Sequence, residues 1–538
     1  MGVSSFGQSL ESQIDELLQR QYPEFGPGAA ALVAKGDEII YYKAFGKANL
    51  ELDVDMRPEM VFRIASISKQ FTAVGILMLV EQQKLSLEDD ITKFLPTYPT
   101  NETHISLRHL LTHTSGISRS ITQKPWNADI RKHDFKKDAF IDYFKDEPKA
   151  FNPGEAFQYN NFGYILLAKV IEVVSGRSYE DFMKQEIFQK LGMSQSRQAN
   201  DSDVIQNRAY GYEKNEDFVI KEYTSPSLSI GAGSLLSTVA DLHTWNRALA
   251  KHSLIKKETL EQAFQNQTLN NGKEINYGFG WFINEINGSP TLEHAGGDHG
   301  FRADAIYLPK EDVFVAVLSN CSCGEPRPLS TKIAALAIGK PYPEIKPVKV
   351  DIDNLYHWVG KYTFDDGRVR NVLLKGDDLY WVINKRTELL MTPTSGNNFT
   401  LSNGLTQIQF DLIEDKTINV MVKNRISVRH TSKPYTRREE IEIDEKEITK
   451  HVGRYNLLPE VDIVVRLENG KLVATATNQT PLMLYPESSN RFFFKAIDGH
   501  IEFMVDKEGK TSGLEMTQNG VIYPGKRLSS ESEKANAE

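Results

Sequence analysis

The C-terminal part of the chain repeats itself at one constant spacing, which limits its fold more than any other feature of the sequence. "HWVGKYTF" carries Gly360 and Tyr362, "KHVGRYNL" carries Gly453 and Tyr455, and the two pairs lie 453 − 360 = 93 residues apart. The same shift maps Leu379 onto Leu472, Pro393 onto Pro486, Phe399 onto Phe492, Ile408 onto Ile501 and Phe410 onto Phe503. A register held without a gap over so many positions means two copies of one unit in tandem. Each copy consists of short runs such as "VRNVLLKG", "DLYWVIN" and "QIQFDLIE", separated by Gly, Asn and Asp. Strand formers broken by turn residues at this spacing predict a small antiparallel barrel or sandwich. The charged stretch "RREEIEIDEKEITK" (437–450) joins the copies.

Upstream, "KPYPEIKPVK" (340–349) holds three prolines in ten positions and reads as a stiff, extended connector. Before it the pattern changes. "AALVAKGDEIIYYKAFGKAN" reads as a β-hairpin and "YILLAKVIEVVSG" as a buried helix, so this region is of the α+β class. A chain of 538 residues is too long for one hydrophobic core. The expected domains are residues 1–340, 350–436 and 445–530.

Composition excludes several functions. Forty per cent hydrophobic and 25% charged residues describe a globular protein. A net charge of −9 and the lack of a basic cluster argue against nucleic acid as a partner. The longest uninterrupted apolar run, "AVGILMLV" (73–80), is far too short for a membrane span. The start, "MGVSSFGQSLESQIDELLQR", lacks the basic residues and apolar stretch of a secretory leader. The expected location is therefore cytoplasmic as written, or periplasmic or secreted if a leader has been trimmed. The two cysteines, Cys321 and Cys323, have no second Cys/His group at zinc-like spacing. They are expected to be reduced, structural thiols, and no metal or cofactor is expected.

"FRIASISKQFTAVGILMLVEQ" (62–82) poses the chemical question. Phe71, Val74, Leu77 and Met78 have the spacing of one buried helical face, and Ser66 stands where that helix begins. Serine there is a common cap. It is also three residues before Lys69, and positions i and i+3 of a helix are neighbours, whereas Ser68 points elsewhere. A desolvated lysine loses pKa and can deprotonate a serine hydroxyl. The motif by itself does not choose between cap and nucleophile.

Three further stretches complete the pattern. "NPGEAFQYNNFGYILLAKVIE" places Tyr159 and Asn161 just before a long apolar helix, "LLTHTSGI" ends in a turn at Ser115 and Gly116, and "LEHAGGDHGFRADAIYLP" puts His294, Gly296 and Gly297 at a strand edge. With "GAGSLLSTVADL", these phrases make the first 340 residues resemble the serine β-lactamase and penicillin-binding-protein-like superfamily, in particular its class C and D-aminopeptidase/D,D-carboxypeptidase branch. The resemblance implies a β-lactamase-like domain, an antiparallel sheet flanked by a helical region, followed by two small antiparallel β-barrels.

It also implies roles. Ser66 is the acyl-enzyme nucleophile, Lys69 its general-base partner, and Tyr159 the phenol that shuttles protons to the leaving group. Asn161 binds a substrate carbonyl, and His294 holds the third motif. Gly296 lets substrate lie against the strand, and the N–H groups of Ser66 and Gly297 form the oxyanion site. Whether Lys69 or a tyrosinate at Tyr159 is the base stays open; a cation beside the phenol would lower it, making the two a coupled pair. The β-lactamases usually carry lysine where this chain has His294. A neutral or switchable ring there weakens carboxylate selection and disfavours β-lactams and D,D-peptides. The expected activity is a D-aminopeptidase-like peptidase or amidase acting on small D-amino-acid peptides or amides. The alternatives are a carboxylesterase, a D,D-carboxypeptidase or β-lactamase, and an inactive scaffold. The expected partners are a small-molecule or short-peptide substrate and, at most, a second copy of the chain as a homodimer.

Overall fold

The computed structural model of the chain describes residues 8–528 apart from residues 137, 201, 385–386, 414–416, 437 and 519–520. The outer ends of the expected domains, residues 1–7 and 529–530, lie outside the described residues. The chain divides into two compact units, Met1–Tyr342 and Pro343–Glu538, at the proline-rich stretch.

The first unit is built on a six-stranded antiparallel sheet. Its strands are β1 (Ala29–Lys35), β2 (Glu38–Phe45), β3 (Phe282–Ile286), β4 (Ser289–Asp298), β5 (Phe301–Leu308) and β6 (Val313–Ser319), in the order β3-β4-β5-β6-β1-β2. Side chains alternate across β1, as a strand requires. Ala29, Ala31 and Val33 face a core that also contains Ile14 and Leu18 of α1 (Leu10–Gln21) and Leu329 and Ile333 of the helix Pro326–Ala337. Ala30, Leu32 and Ala34 face the larger core, which holds α2 (Ser68–Glu81), α3 (Leu107–Leu111) and α4 (Asn161–Ser175). The sheet thus lies between two helical layers.

Helix α2 differs from the one-faced helix expected from periodicity. Every residue from Ser68 to Leu79 is buried, because α4 and neighbouring segments surround it. Asn160 caps α4 by accepting from the Phe162 N–H, and Gly176 ends it in the left-handed conformation with φ +71°.

In the second unit, both copies of the repeat are antiparallel. The strands between Gly360 and Thr436 form a nine-stranded sheet that nearly closes, with a bridge between Phe364 and Thr431. Those between Gly453 and Arg527 form a closed eight-stranded barrel. The matched positions fill equivalent cores: Tyr362 and Tyr455, Leu379 and Leu472, Phe399 and Phe492, Ile408 and Ile501, and Phe410 and Phe503 are all buried. The two copies also touch. The Leu374 N–H donates to the Ala496 carbonyl at 3.1 Å, and Ala496 packs against the first copy's core.

Cys321 and Cys323 are not free thiols. They form a disulfide with Cα atoms 5.0 Å apart. The short spacing is spanned because β6 ends at Ser319 and the chain bends at Asn320 and turns at Ser322 and Cys323, so the two side chains need not point alike as they would along a strand. Among the described residues no helix is long and apolar enough to cross a membrane.

Candidate active site

Ser66 lies in a 3-10 turn, Ala65–Ile67, that leads into α2. The residue before it, Ala65, is held at φ +45°, a left-handed conformation that costs a non-glycine residue energy and collects at functional sites. Ser66 is partly accessible, whereas Ser68 is fully buried and accepts a hydrogen bond from the Leu235 N–H at 3.1 Å. One serine of the pair is reachable and the other is part of the frame. As Ser66 sits in the first turn, its backbone N–H has no intrahelical acceptor.

Lys69 is completely buried, with Nζ 3.1 Å from Ser66 Oγ, 2.8 Å from Asn161 Oδ1 and 2.7 Å from the Ala232 carbonyl. The amide oxygen and the carbonyl can only accept, so they occupy two N–H groups of Lys69 in either charge state. In the neutral amine the remaining position is a lone pair facing the Ser66 hydroxyl. Burial drives Lys69 toward that form, holding its pKa well below the usual lysine range. Ala232 comes from "GAGSLLSTVADL"; Gly231 beside it has φ +78° and lies where a Cβ would come within 2.5 Å of Ala168.

Tyr159 packs its ring against Lys69, with Nζ 4.8 Å from the ring centroid. Its hydroxyl is buried without a hydrogen-bond partner among the described residues. Burial raises the phenol pKa, and the nearby Ser66 hydroxyl only partly offsets this. The expected depression of the phenol by Lys69 does not occur, because the ammonium lies over the ring face and is itself pushed toward neutrality. Tyr159 is therefore held as a neutral phenol rather than a tyrosinate.

The third motif also differs from expectation. His294 is 1% exposed, on β4, and both ring nitrogens face protein groups: Nδ1 the Ala295 carbonyl at 2.7 Å and Nε2 the Tyr277 hydroxyl at 3.3 Å. Burial, with Lys69 adding to it, pushes its pKa down to about 3. Burial holds the ring neutral near pH 7, and both of its nitrogens are turned to protein groups. Gly296 serves the protein's own backbone, since a Cβ there would lie 2.3 Å from the Ile64 carbonyl. It lets β4 rest against the nucleophile turn. Gly297 is exposed, and a Cβ there would meet only Arg302. Pairing between β3 and β4 ends at Phe282 and Glu293, so beyond Glu293 that edge of β4 has no strand partner among the described residues. Arg302 folds back onto the hairpin turn, donating to the Asp298 and Phe301 carbonyls, both at 2.9 Å.

Ser66, Lys69, Tyr159 and Asn161 are thus gathered at one point, with His294 and Gly296 behind them. Sequence reasoning passed over the Ala232 carbonyl, His113 and Tyr277. The available signal for Tyr277 was "YGFGW", a tyrosine followed by two closely spaced glycines. Gly278 has no room for a Cβ, which would lie 1.9 Å from the Ala263 carbonyl. Among the described residues no group of His, Cys, Asp and Glu is arranged to hold a metal.

Comparison with known proteins follows the same division. Residues 18–339 match the family model described as Beta-lactamase, and residues 437–529 match one described as Domain of unknown function (DUF3471). The chain is 32% identical to Penicillin-binding protein 4* of Bacillus subtilis (strain 168) over 408 residues, covering 71% of this chain and 90% of that protein. The octameric penicillin-binding protein homologue from Pyrococcus abyssi superposes with a TM-score of 0.53 at 23% identity, over 87% of this chain and 98% of that one. A D-stereospecific amidohydrolase from Streptomyces sp. superposes with a TM-score of 0.53 at 24% identity, over 61% of this chain and 98% of that one. These last two likenesses are of fold.

Proposed function

Because the chain belongs to the serine β-lactamase and penicillin-binding-protein-like hydrolase family, we propose that it hydrolyses small D-amino-acid-containing peptides or amides through an acyl-enzyme on Ser66. The observation that carries this reading is the placement of Lys69. Two acceptor-only partners orient its amine so that the neutral form presents a lone pair to Ser66 Oγ at 3.1 Å.

In the proposed reaction Lys69 takes the Ser66 hydroxyl proton as Oγ bonds to the acyl carbon. The carbonyl oxygen becomes an oxyanion, for which the N–H groups of Ser66 and Gly297 are the proposed donors. Tyr159 protonates the leaving nitrogen as the C–N bond breaks, and the proton held by Lys69 replaces the one Tyr159 gave. Water then cleaves the ester by the reverse sequence. The restriction to D-residues is supported by compatibility alone: the Streptomyces D-stereospecific amidohydrolase shares the fold. The neutral His294 favours an uncharged acyl partner, which suits an amide and also an ester, so a carboxylesterase is the second reading.

The test is mass spectrometry after mixing the protein with D-aminoacyl amides, their L-counterparts, p-nitrophenyl esters and a penicillin. The expected result is an adduct on Ser66 and turnover of the D-amides. Turnover of esters alone selects the esterase, and an adduct on Ser68, or none with any substrate, overturns the proposal.

A further inference from the structure

Behind the nucleophile, two histidines and a tyrosine from separate segments form a chain whose hydrogen positions are dictated by its ends. His113 Nδ1 lies 3.1 Å from the backbone nitrogen of Asn160. That N–H can only donate, so Nδ1 accepts and the ring's proton is on Nε2, which faces the Tyr277 hydroxyl at 3.2 Å. At the other end, His294 Nδ1 lies 2.7 Å from the Ala295 carbonyl. That oxygen can only accept, so His294 carries its proton on Nδ1 and turns a bare Nε2 to the same Tyr277 hydroxyl at 3.3 Å. With both rings neutral, one hydroxyl accepts from His113 and donates to His294. All three side chains are buried.

We propose that Tyr277 is a positioning residue that holds His294 as the neutral Nδ1–H tautomer. The third motif is thereby left without a cation, and the site selects substrates whose recognised end is an amide or ester rather than a free carboxylate. This rests on the serine-hydrolase reading above. The placement of Tyr277 is rigid, since the following Gly278 is pressed against the Ala263 carbonyl. His113 is pinned as well, held at φ +59°.

The surroundings oppose a second proton on either ring. Lys69, Tyr159, Tyr277, Phe282 and Arg327 face His294, and both the Arg327 guanidinium and any proton held by Lys69 disfavour its charged form. Lys69, His294, Tyr159, Tyr164 and Tyr277 face His113, and burial with Lys69 holds its pKa well below the histidine range. The Tyr164 hydroxyl donates to the Leu111 carbonyl at 2.8 Å, and its oxygen also faces the Tyr277 hydroxyl, as a second acceptor beside His294 Nε2.

The first measurement needs no substrate: long-range proton–nitrogen NMR of histidine-labelled, deuterated full-length protein. The expected spectrum assigns His113 to the Nε2–H form and His294 to the Nδ1–H form, neither changing between about pH 5 and about pH 9. The second compares kcat/KM for a matched pair of substrates that differ only in a terminal amide or carboxylate. In the unaltered protein the acid-to-amide ratio stays low and flat with pH. In Tyr277→Phe, His294 loses its donor and takes up a proton more readily, so the ratio rises by about tenfold as pH falls from about 8 to about 5. His113→Asn leaves the Tyr277 hydroxyl free to donate to His294 and keeps the ratio flat. A His294 ring that titrates near its ordinary pKa, an Nε2–H tautomer, or a Tyr277→Phe profile identical to the unaltered one overturns the proposal. If Tyr277→Phe does not fold, the tautomers of the unaltered protein decide. Failure of Ser66 to acylate would sink the hydrolase reading while leaving these tautomers intact.

Discussion

The centre of the first unit and the second copy of the repeat both bury histidine among aromatic rings, to different ends. In the second copy, His451 stacks on Phe503 at 4.2 Å, with Nδ1 2.8 Å from Thr511 Oγ1 and Nε2 2.8 Å from the Ser489 carbonyl. The first copy has Trp358 at the matching position, stacked on Phe410 and donating to the Gly396 carbonyl, which matches Ser489 under the same shift. Different rings make the same bond in the same place. Every polar atom of those rings has a partner. Around Ser66 the rings are satisfied too, but the groups beside them are not. Among the described residues, Lys69 is buried without a carboxylate partner, and the Tyr159 hydroxyl, near that of Ser66, is buried without a hydrogen bond of normal geometry. A buried polar group left incomplete costs folding energy and is poised to complete itself with a substrate.

The comparison breaks most sharply at the serine pair. Ser66→Ala is expected to abolish turnover of an activated ester with the unfolding midpoint unchanged. Ser68→Ala should keep most turnover and cost about 1–3 kcal/mol, because the Leu235 N–H loses its acceptor. Rates and denaturant titrations of both variants check this, and equal loss of activity in the two would sink the assignment.

Next in size are Lys69→Ala and Tyr159→Phe, each expected to slow acylation by about 10²–10⁴-fold, with the double variant losing far less than the product. Stopped-flow acylation rates decide, and strictly multiplicative losses count against a shared proton path. The acid limb of the unaltered enzyme should rise with pH as Lys69 deprotonates and level off well below the ordinary lysine range.

In the barrels the expected effect is on folding only. Phe410→Ala or Phe503→Ala should cost about 3–5 kcal/mol and unfold its own copy, with Ser66 acylation by a small ester retained. A chain cut at residue 342 should likewise fold and acylate, since its core is its own. Loss of acylation in the Phe variants would show that the two regions are not separable.

A further test concerns acid stability. His294 has a folded-state pKa of about 3 against about 6.5 when unfolded. Between those values the unfolded chain binds the extra proton, so stability falls as pH drops through that window. His294→Asn should flatten that slope, as seen in denaturation midpoints at about pH 4 and about pH 7. An unchanged slope would mean that His294 is protonated in the folded state.

Much of this was legible in the sequence. The 93-residue shift, a pattern of turn and core residues, gives two β copies with matching cores from chain order alone, as did the proline-rich break. Ser66, Lys69, Tyr159 and Asn161 were singled out because the short segments that carry them resemble a known family's motifs, whereas the spacing of Ser66 and Lys69 alone left cap and nucleophile open. The C-x-C pair was misread because along a regular strand two such cysteines point alike, and only the turn after β6 brings them together. What only the tertiary structure decided was protonation and direction. Local sequence does not tell that the Ala232 carbonyl completes the Lys69 site, that the Ile64 carbonyl requires Gly296, or that His294 Nε2 faces the Tyr277 hydroxyl. Each of these depends on a partner far along the chain, brought close by folding, and on the burial that makes one charge state cheaper than another.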